Sequence, residues 1–318
     1  MPPARIFSEV PRTWEEWIQA VGLSGNSLHP NDRDQWGSGS KISKEEHLLL
    51  RVLFDSEERL GVDARSNLGL TGHFKSASRW LRNFAPFATY LQQVESGRGI
   101  SKYGPPQPNA DAWSSGIFEI PAHEQRRILS HLISRRGAPE RGLKTLIDEE
   151  SVNAALMAFL TSIAAKHPSI EGHWSPDRLL LRAEFKPGVS FTVRVDGYFR
   201  ARDHTTKILV ETKRSQRAVH EPTVSMQESA EVIAWLMNDT RIRNGHRFLI
   251  SQNGNELYIT AASFDDTYLH WLRSNRPMRL SKNSFMRMTR YGPWLVGMAH
   301  DMEEFAKLAL AIMIAVDK

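Results

Sequence analysis

An acid and a lysine two residues apart, Glu211 and Lys213, follow the apolar run 208–210. A short apolar run of this kind predicts a buried strand, in which side chains two residues apart point to the same face. A carboxylate and an ammonium in such a strand need a partner, because burying a bare charge is costly. The two residues therefore form either a structural ion pair or part of a charged functional site.

A second carboxylate precedes this strand. Asp196 ends the apolar alternation of residues 191–195 and is followed by Gly197. A hairpin of the inferred length places Asp196 beside the strand that carries Glu211, so that the two carboxylates converge on one point. Converging oxygen ligands suit a hard cation such as Mg²⁺ or Mn²⁺. The alternative is that Asp196 and Gly197 form only a turn or a bulge.

A third acid comes from the helix that is predicted before the strands. Glu149 falls on the same helical face as the apolar residues Val152 and Leu156, whereas Glu150 is turned away by about 100°. Glu149 is therefore a candidate for the same site. Its alternative role is to stabilise the dipole of the first helical turn.

Gln227 is a polar residue at the start of a later predicted helix. Ser225 and Glu228 have the spacing of a capping box, which predicts that the helix begins here and continues to Leu236. From the first turn of this helix, the Gln227 amide could reach a neighbouring carboxylate or a scissile phosphate.

The elements that must position these residues alternate between helix and strand. They are predicted, in order, as a helix from about 145, a meander of three strands over 178–185, 190–201 and 207–215, a helix over 225–236, and two strands over 247–252 and 256–264. Asn253 and Gly254 join the last two strands and are a strong hairpin signal. This order predicts an α/β fold.

Residues 1–115 are predicted to form a mostly helical N-terminal region. Ser43 and Glu46 have capping-box spacing and begin a helix that carries apolar residues as far as Leu53. The stretch near 96–116 is rich in Gly, Pro, Ser and Asn, which is typical of a linker or a long surface loop. The sequence therefore predicts a domain boundary there.

The amino-acid composition excludes cysteine-dependent sites and is typical of a protein with a packed core. Apolar residues make up 41% of the 318 residues, which is enough for a packed core. The chain has no cysteine, which excludes disulfides, thiolate zinc sites and a cysteine nucleophile. No apolar run has the length of a membrane span and no signal peptide is visible. We therefore expect an intracellular protein of the nucleus or cytoplasm, with no membrane partner.

Charge permits a nucleic-acid partner. The net charge is +5, from 41 Lys and Arg against 36 Asp and Glu. No acid lies between Asp266 and Asp301, and two arginines follow the strand that carries Glu211. The predicted contacts to a nucleic-acid backbone are Arg214, Arg217, Arg273, Arg276, Arg279, Lys282, Arg287 and Arg290. The alternative for this basic stretch is an ordinary solvated face.

Taken together, Glu149, Asp196, Glu211-x-Lys213 and Gln227, in this order, resemble the PD-(D/E)XK, or restriction-endonuclease-like, nuclease superfamily. The segments EESVNAALMAFL, VDGYF, LVETKR and QESAEVIAWL are similar to uncharacterised nuclease-like proteins frequent in filamentous fungi. The resemblance covers the core 145–265 of a predicted domain 117–318. Over 266–318 this domain continues with a basic segment and a C-terminal helix, which is predicted from about Pro293 to Val316. Residues 1 to about 140 carry no such resemblance.

The resemblance implies a role for each motif residue. Asp196 and Glu211 would be metal ligands together with the Thr212 carbonyl, and Glu149 would match the acid of the first helix. Lys213 would orient the attacking water and stabilise negative charge, and Gln227 would match the polar residue of the following helix. The sequence departs from the family pattern at Val195, where the first motif has a proline.

The leading hypothesis is a nuclease that uses Mg²⁺ or Mn²⁺ to hydrolyse phosphodiester bonds, with DNA favoured over RNA and a homodimer left open. One alternative is a module of the same fold that has lost cleavage and binds nucleic acid or a protein. Another is an unrelated α/β domain in which Glu211 and Lys213 are a structural pair. The nuclease hypothesis requires the Asp196 and Glu211 carboxylates to lie close enough to share one ion, with Lys213 beside them.

Overall fold

The computed structural model describes residues 9–24, 29–96, 115–135, 148–239, 241–242, 245–274 and 284–318. Its helices and strands, in chain order, are α1 (Trp14–Ser24), α2 (Lys44–Leu49), β1 (Val52–Glu57), α3 (Val62–Asn67), α4 (Thr71–Arg82), α5 (Ala85–Glu95), α6 (Glu119–Arg135), α7 (Glu149–Ala164), β2 (His173–Ser175), β3 (Leu180–Lys186), β4 (Val189–Arg194), β5 (Gly197–Arg200), β6 (Thr206–Lys213), α8 (Thr223–Asn238), β7 (Gly245–Asn253), β8 (Glu256–Phe264), α9 (Asp266–Arg273), β9 (Met286–Leu295) and α10 (Ala299–Val316).

Seven strands form one mixed sheet in the order β1-β9-β8-β7-β6-β5-β2. The pairs β1–β9 and β6–β7 are parallel, and the other neighbours are antiparallel. Strands β3 and β4 form a separate antiparallel pair. The predicted α/β class is confirmed in this coarse form.

Two apolar cores lie on opposite faces of the sheet. Helices α4, α5, α7 and α10 pack on one face, and α8, α9 and the β3–β4 pair pack on the other. In β6, Ile208 and Val210 face the first core while Leu209 faces the second. Because side chains alternate along a strand, Glu211 and Lys213 continue the face of Leu209, towards α8.

The N-terminal region is mostly helical, but it is built into the sheet. Helix α2 ends at Leu49, earlier than the predicted Leu53, and Arg51 adopts a left-handed conformation with φ 51°. The chain then enters β1, which pairs with β9. Side chains of α4 and α5 share one core with α7 and α10. The predicted boundary between 1–115 and 117–318 therefore does not separate two cores.

The predicted strand over 190–201 is divided, so the predicted three-stranded meander does not form within a single sheet. Its first part, β4, pairs with β3, and its second part, β5, crosses into the main sheet and pairs with β6. Asp196 lies at the joint, where its backbone N–H donates to the Val210 carbonyl at 3.0 Å. A Cβ at Gly197 would lie 3.0 Å from the Ser175 carbonyl oxygen of β2 and 2.9 Å from Met157 Sδ of α7, so glycine favours the close approach of both elements to the joint.

Two helix boundaries also differ from the prediction. Helix α8 begins at Thr223, and Ser225 forms no cap because its hydroxyl donates to Glu221. The C-terminal helix, predicted from Pro293, begins at Ala299, since Pro293 lies within β9. The predicted β7–β8 hairpin is confirmed. Among the described residues, no helix has both the length and the apolar character that crossing a lipid bilayer requires.

Candidate metal centre

Three carboxylates from three separate elements converge at the end of β6. Glu149 is the first residue of α7, Asp196 lies at the joint between β4 and β5, and Glu211 lies in β6. One carboxylate oxygen of each lies within 4.8 Å of those of the other two. Glu150, by contrast, is exposed and lies 3.6 Å from Arg178. The structure thus brings together the three acids that the sequence singled out.

Asp196 is held by the strand beside it. Its Oδ2 accepts hydrogen bonds from the Thr212 backbone N–H at 2.9 Å and from the Thr212 hydroxyl at 2.8 Å. The Asn153 amide donates to the Asp196 backbone carbonyl at 2.8 Å, which ties the joint to α7. These bonds fix the carboxylate in a buried position where its Oδ1 stays 3.8 Å from Arg178 Nε.

The Thr212 carbonyl, expected from the resemblance to be a ligand, faces the same edge of the strand as Asp196. The Lys213 carbonyl accepts a bond from the Gly254 N–H, so it points towards β7. Backbone groups alternate in direction along a strand, and the N–H and C=O of one residue point the same way. Since the Thr212 N–H points to Asp196, the Thr212 carbonyl does too.

Lys213 lies among these carboxylates. Its Nζ donates to Glu211 Oε1 and lies 3.4 Å from Glu149 Oε1. Burial opposes the charge on Lys213, but the Glu211, Glu149 and Glu231 carboxylates outweigh this effect and raise its pKa. This direction favours a charged ammonium that donates hydrogen bonds over a neutral amine that acts as a base.

Glu211 is the most deeply placed of the three acids. Burial raises the pKa of its carboxyl to about 8; the Lys213 ammonium opposes this rise, and the charge of Asp196 adds to it. Among the described residues, none donates a hydrogen bond to the buried Glu211 Oε2. A buried oxygen without a donor, next to two further carboxylates, fits the ligand set of a hard divalent cation.

A fourth acid, Glu231, was missed by the sequence analysis. The Gln227 Nε2 donates to Glu211 Oε1 at 2.6 Å and to Glu231 Oε1 at 2.8 Å. Glu231 is fully buried, and burial, followed by the charge of Glu211, raises its pKa well above the usual range. Its spacing of four residues from Gln227 places both on one helical face, which is the signal that could have found it.

The site opens into a cleft of about 410 Å³. Besides the three carboxylates, Lys213 and Gln227, the side chains that line it include Lys41, Arg178, Arg194 and His220. None of these four was a sequence-based candidate, since they come from parts of the chain that have no motif spacing to the core acids.

Arg217 does not have the predicted role of a backbone contact. It is 2% exposed, and its guanidinium donates to Glu228 at 2.7 Å and to Glu221 at 2.6 Å. Burial opposes the charge, but Glu228 and Glu221 raise its pKa. The residue joins the segment after β6 to α8 and is not available to a ligand. Arg214, three residues earlier, is exposed.

The other residues predicted to contact nucleic acid differ in whether their side chains are free for such a contact. Arg290 donates to Glu221 at 2.7 Å, and Arg273 donates to the backbone carbonyls of Leu236 and Asp239, so both are used within the protein. Arg287 is exposed on β9. Arg276, Arg279 and Lys282 lie outside the described residues.

Comparison with known proteins found no matching family model and no matching curated sequence. The functional conclusion therefore depends on the chemistry and geometry of the cleft.

Proposed function

We propose that the protein is a divalent-metal-dependent nuclease that hydrolyses phosphodiester bonds, with DNA favoured over RNA. The observation that carries the proposal is the convergence of Glu149, Asp196 and Glu211 beside the Lys213 ammonium. A structural ion pair between Glu211 and Lys213 would need neither Asp196 nor Glu149 at the same point. Three carboxylates around one ammonium leave an excess of negative charge, which a bound cation would balance.

Asp196, Glu211 and Glu149 would hold Mg²⁺ or Mn²⁺, together with the Thr212 carbonyl. Their oxygen donors suit such ions, and the open side of the cleft leaves room for water and substrate. When bound, the ion would polarise a phosphoryl oxygen, lower the pKa of a water and neutralise charge on the leaving oxygen.

The protein side chains would position the reacting groups. The Lys213 ammonium, held by Glu211, would donate to a phosphoryl oxygen and stabilise the negative charge that grows there. Gln227 keeps Glu211 in place from α8, and Thr212 keeps Asp196 in place from β6. In the reaction, a water oxygen bonds to phosphorus, one bridging P–O bond breaks, and the departing oxygen gains a proton.

A cleavage assay tests this proposal. The full chain is incubated with end-labelled single- and double-stranded DNA and RNA, in Mg²⁺, in Mn²⁺ or in EDTA. We expect metal-dependent cleavage that Lys213→Ala and Asp196→Ala reduce at least 100-fold, in the range typical of removing one electrostatic contact to a transition state. Arg182→Ala, a change on the exposed face of β3, is the control and should leave cleavage unchanged.

Two results would overturn the proposal. Cleavage that is equal in the parent and in both site variants would mean that the activity does not come from this cleft. No cleavage of any substrate by the parent in either metal would favour the alternative of a binding module.

A further inference from the structure

Three cationic side chains from distant parts of the chain line the cleft. Lys41 ends the short 3-10 helix Gly39–Lys41, Arg178 lies between β2 and β3, and Arg194 ends β4. All three are exposed and line the cleft that contains the carboxylates. We propose that this cationic wall, defined as Lys41, Arg178 and Arg194, binds the phosphate backbone of a nucleic-acid strand.

The cationic groups of the wall are available to a ligand. Within the described parts of the chain, no acidic side chain lies within 4 Å of the charged groups of Lys41 or Arg194. Arg178 lies 3.8 Å from the buried Asp196 and forms a long, exposed ion pair of 3.6 Å with Glu150. Such pairs are weak in water, so a phosphate can displace them at little cost.

The placement of Lys41 depends on a close approach between two segments. A Cβ built on the buried Gly39 would lie 2.0 Å from Val193 Cγ1, so only glycine lets the 3-10 helix lie against β4. This contact brings Lys41 to the cleft that Arg194, the residue after Val193, also lines. The N-terminal region therefore supplies part of the cleft, although the sequence shows no motif there.

The chemistry of the cleft points to a phosphate backbone as the ligand. Three carboxylates repel a polyanion, so a nucleic acid needs cations beside them in order to bind. The single charge of Lys213 is paired with Glu211 and does not offset three carboxylates, so further cations are needed to attract a polyanion. Arg217, Arg273 and Arg290, predicted from sequence for this role, donate to groups within the protein. Contacts made by lysine and arginine to phosphates position a strand without reading its sequence.

The inference names the substrate-binding surface of the proposed nuclease and rests on that function, but binding can be measured without cleavage. Fluorescence anisotropy of a labelled oligonucleotide is followed over a series of salt concentrations in EDTA, and again with Mg²⁺ in a Lys213→Ala background. The variants are Lys41→Ala, Arg178→Ala, Arg194→Ala and the three combined. Arg182→Ala on β3 removes a charge of similar exposure outside the cleft and serves as the matched control.

We expect every wall variant to bind more weakly than the parent. The magnitude of the slope of log K against log salt concentration should fall by about 0.7 per residue for a single strand or about 0.9 for a duplex. The reason is that a variant with one phosphate contact fewer releases fewer counterions from the nucleic acid when it binds. The Arg182→Ala control should keep the parental slope. Polyglutamate of equal charge should compete poorly, since carboxylates lack the tetrahedral phosphate group.

Unchanged affinity and slope in the triple variant would overturn the inference, as would a parent that binds no nucleic acid in either condition or that binds polyglutamate equally well. A parent that cleaves nucleic acid while the wall variants bind normally would leave the proposed function standing and remove this inference. If the wall variants bind nucleic acid more weakly but the parent cleaves none, the cationic wall would stand as a binding surface and the proposed nuclease activity would fall.

Discussion

The Asp196 carboxylate and Thr212 are joined by two hydrogen bonds to one oxygen, from the Thr212 N–H at 2.9 Å and from its hydroxyl at 2.8 Å. The main-chain bond takes the place of the hydrogen bond that the Thr212 N–H would donate to the neighbouring strand if β5 began before Gly197. The hydroxyl bond is a property of the side chain and can be removed alone. Asp196 is therefore aimed by the strand that also carries Glu211 and Lys213.

Thr212→Val should separate these two contributions. Valine keeps the shape of threonine and the main-chain bond but loses the hydroxyl donor. We expect Mn²⁺ affinity and cleavage rate to fall about 10-fold or more, as is usual when a partner of a metal ligand is lost. Thr212→Ser, which keeps the hydroxyl, should stay close to the parent. Equal losses in the two variants would show that packing, and not the hydroxyl, is what matters.

Gln227→Met should reduce cleavage without unfolding the protein. The change keeps the length of the side chain but removes the amide that donates to Glu211 and Glu231. We expect a loss of about 10- to 100-fold in the cleavage rate, because Glu211 loses one of the donors that orient it. Gln92→Met, the same change on an exposed position of α5, is the control. Parental cleavage by Gln227→Met would contradict the positioning role.

Arg217→Ala should lower the free energy of unfolding by about 3–5 kcal/mol, because it leaves Glu228 buried without its partner. Replacing both residues, as Arg217→Met with Glu228→Met, should cost less than the single change, since no buried charge is left unpaired. Glu221 keeps Arg290 in both variants. Urea unfolding measures the difference, and a double variant less stable than the single one would refute this account.

His47 should favour unfolding in mild acid, opposite in sign to Glu211, whose raised pKa favours the folded state as pH falls. This histidine is fully buried, and burial lowers its pKa to about 3. Between that value and the unfolded value of about 6.5, the unfolded state binds more protons, so unfolding becomes easier as pH falls. For this group the loss is about 2 kcal/mol at pH 5 relative to neutral pH.

Urea unfolding at pH 7 and pH 5 tests the role of His47. From pH 7 to pH 5, the unfolding free energy of His47→Gln should change by about 2 kcal/mol more in favour of the folded state than that of the parent. His123→Gln, on the exposed side of α6, should behave as the parent does. An identical pH dependence in His47→Gln and the parent would contradict the prediction.

Local periodicity was sufficient to predict which residues face the centre. The helical spacing selects Glu149 over Glu150, and strand alternation puts Glu211 and Lys213 on one face. The structure agrees with both, because these are properties of single elements that hold whatever the elements pack against. The pattern of local propensities therefore identifies the acids well.

Contacts between segments far apart in the sequence could not be predicted from local periodicity. Alternation in residues 191–201 is the same whether the segment is one strand or two strands in different sheets, so the break at Asp196 was not predicted. Arg217 looked like a surface cation because its partner Glu228 lies eleven residues away on α8. Lys41 reaches the cleft through the packing of the N-terminal region on β4, and Arg178 and Arg194 line it from segments that have no motif spacing to the core acids. Such placements are decided by tertiary structure.

The central claim is that Glu149, Asp196 and Glu211 together hold a divalent cation, and Mn²⁺ binding followed by electron paramagnetic resonance tests it most directly. We predict saturable binding by the parent, weakened at least about 10-fold by Glu149→Gln, Asp196→Asn or Glu211→Gln, because each loses an anionic ligand. Glu150→Gln, which removes the same charge one residue away on the exposed side of α7, should bind Mn²⁺ as the parent does. No saturable binding by the parent, or equal weakening by Glu149→Gln and Glu150→Gln, would contradict the claim.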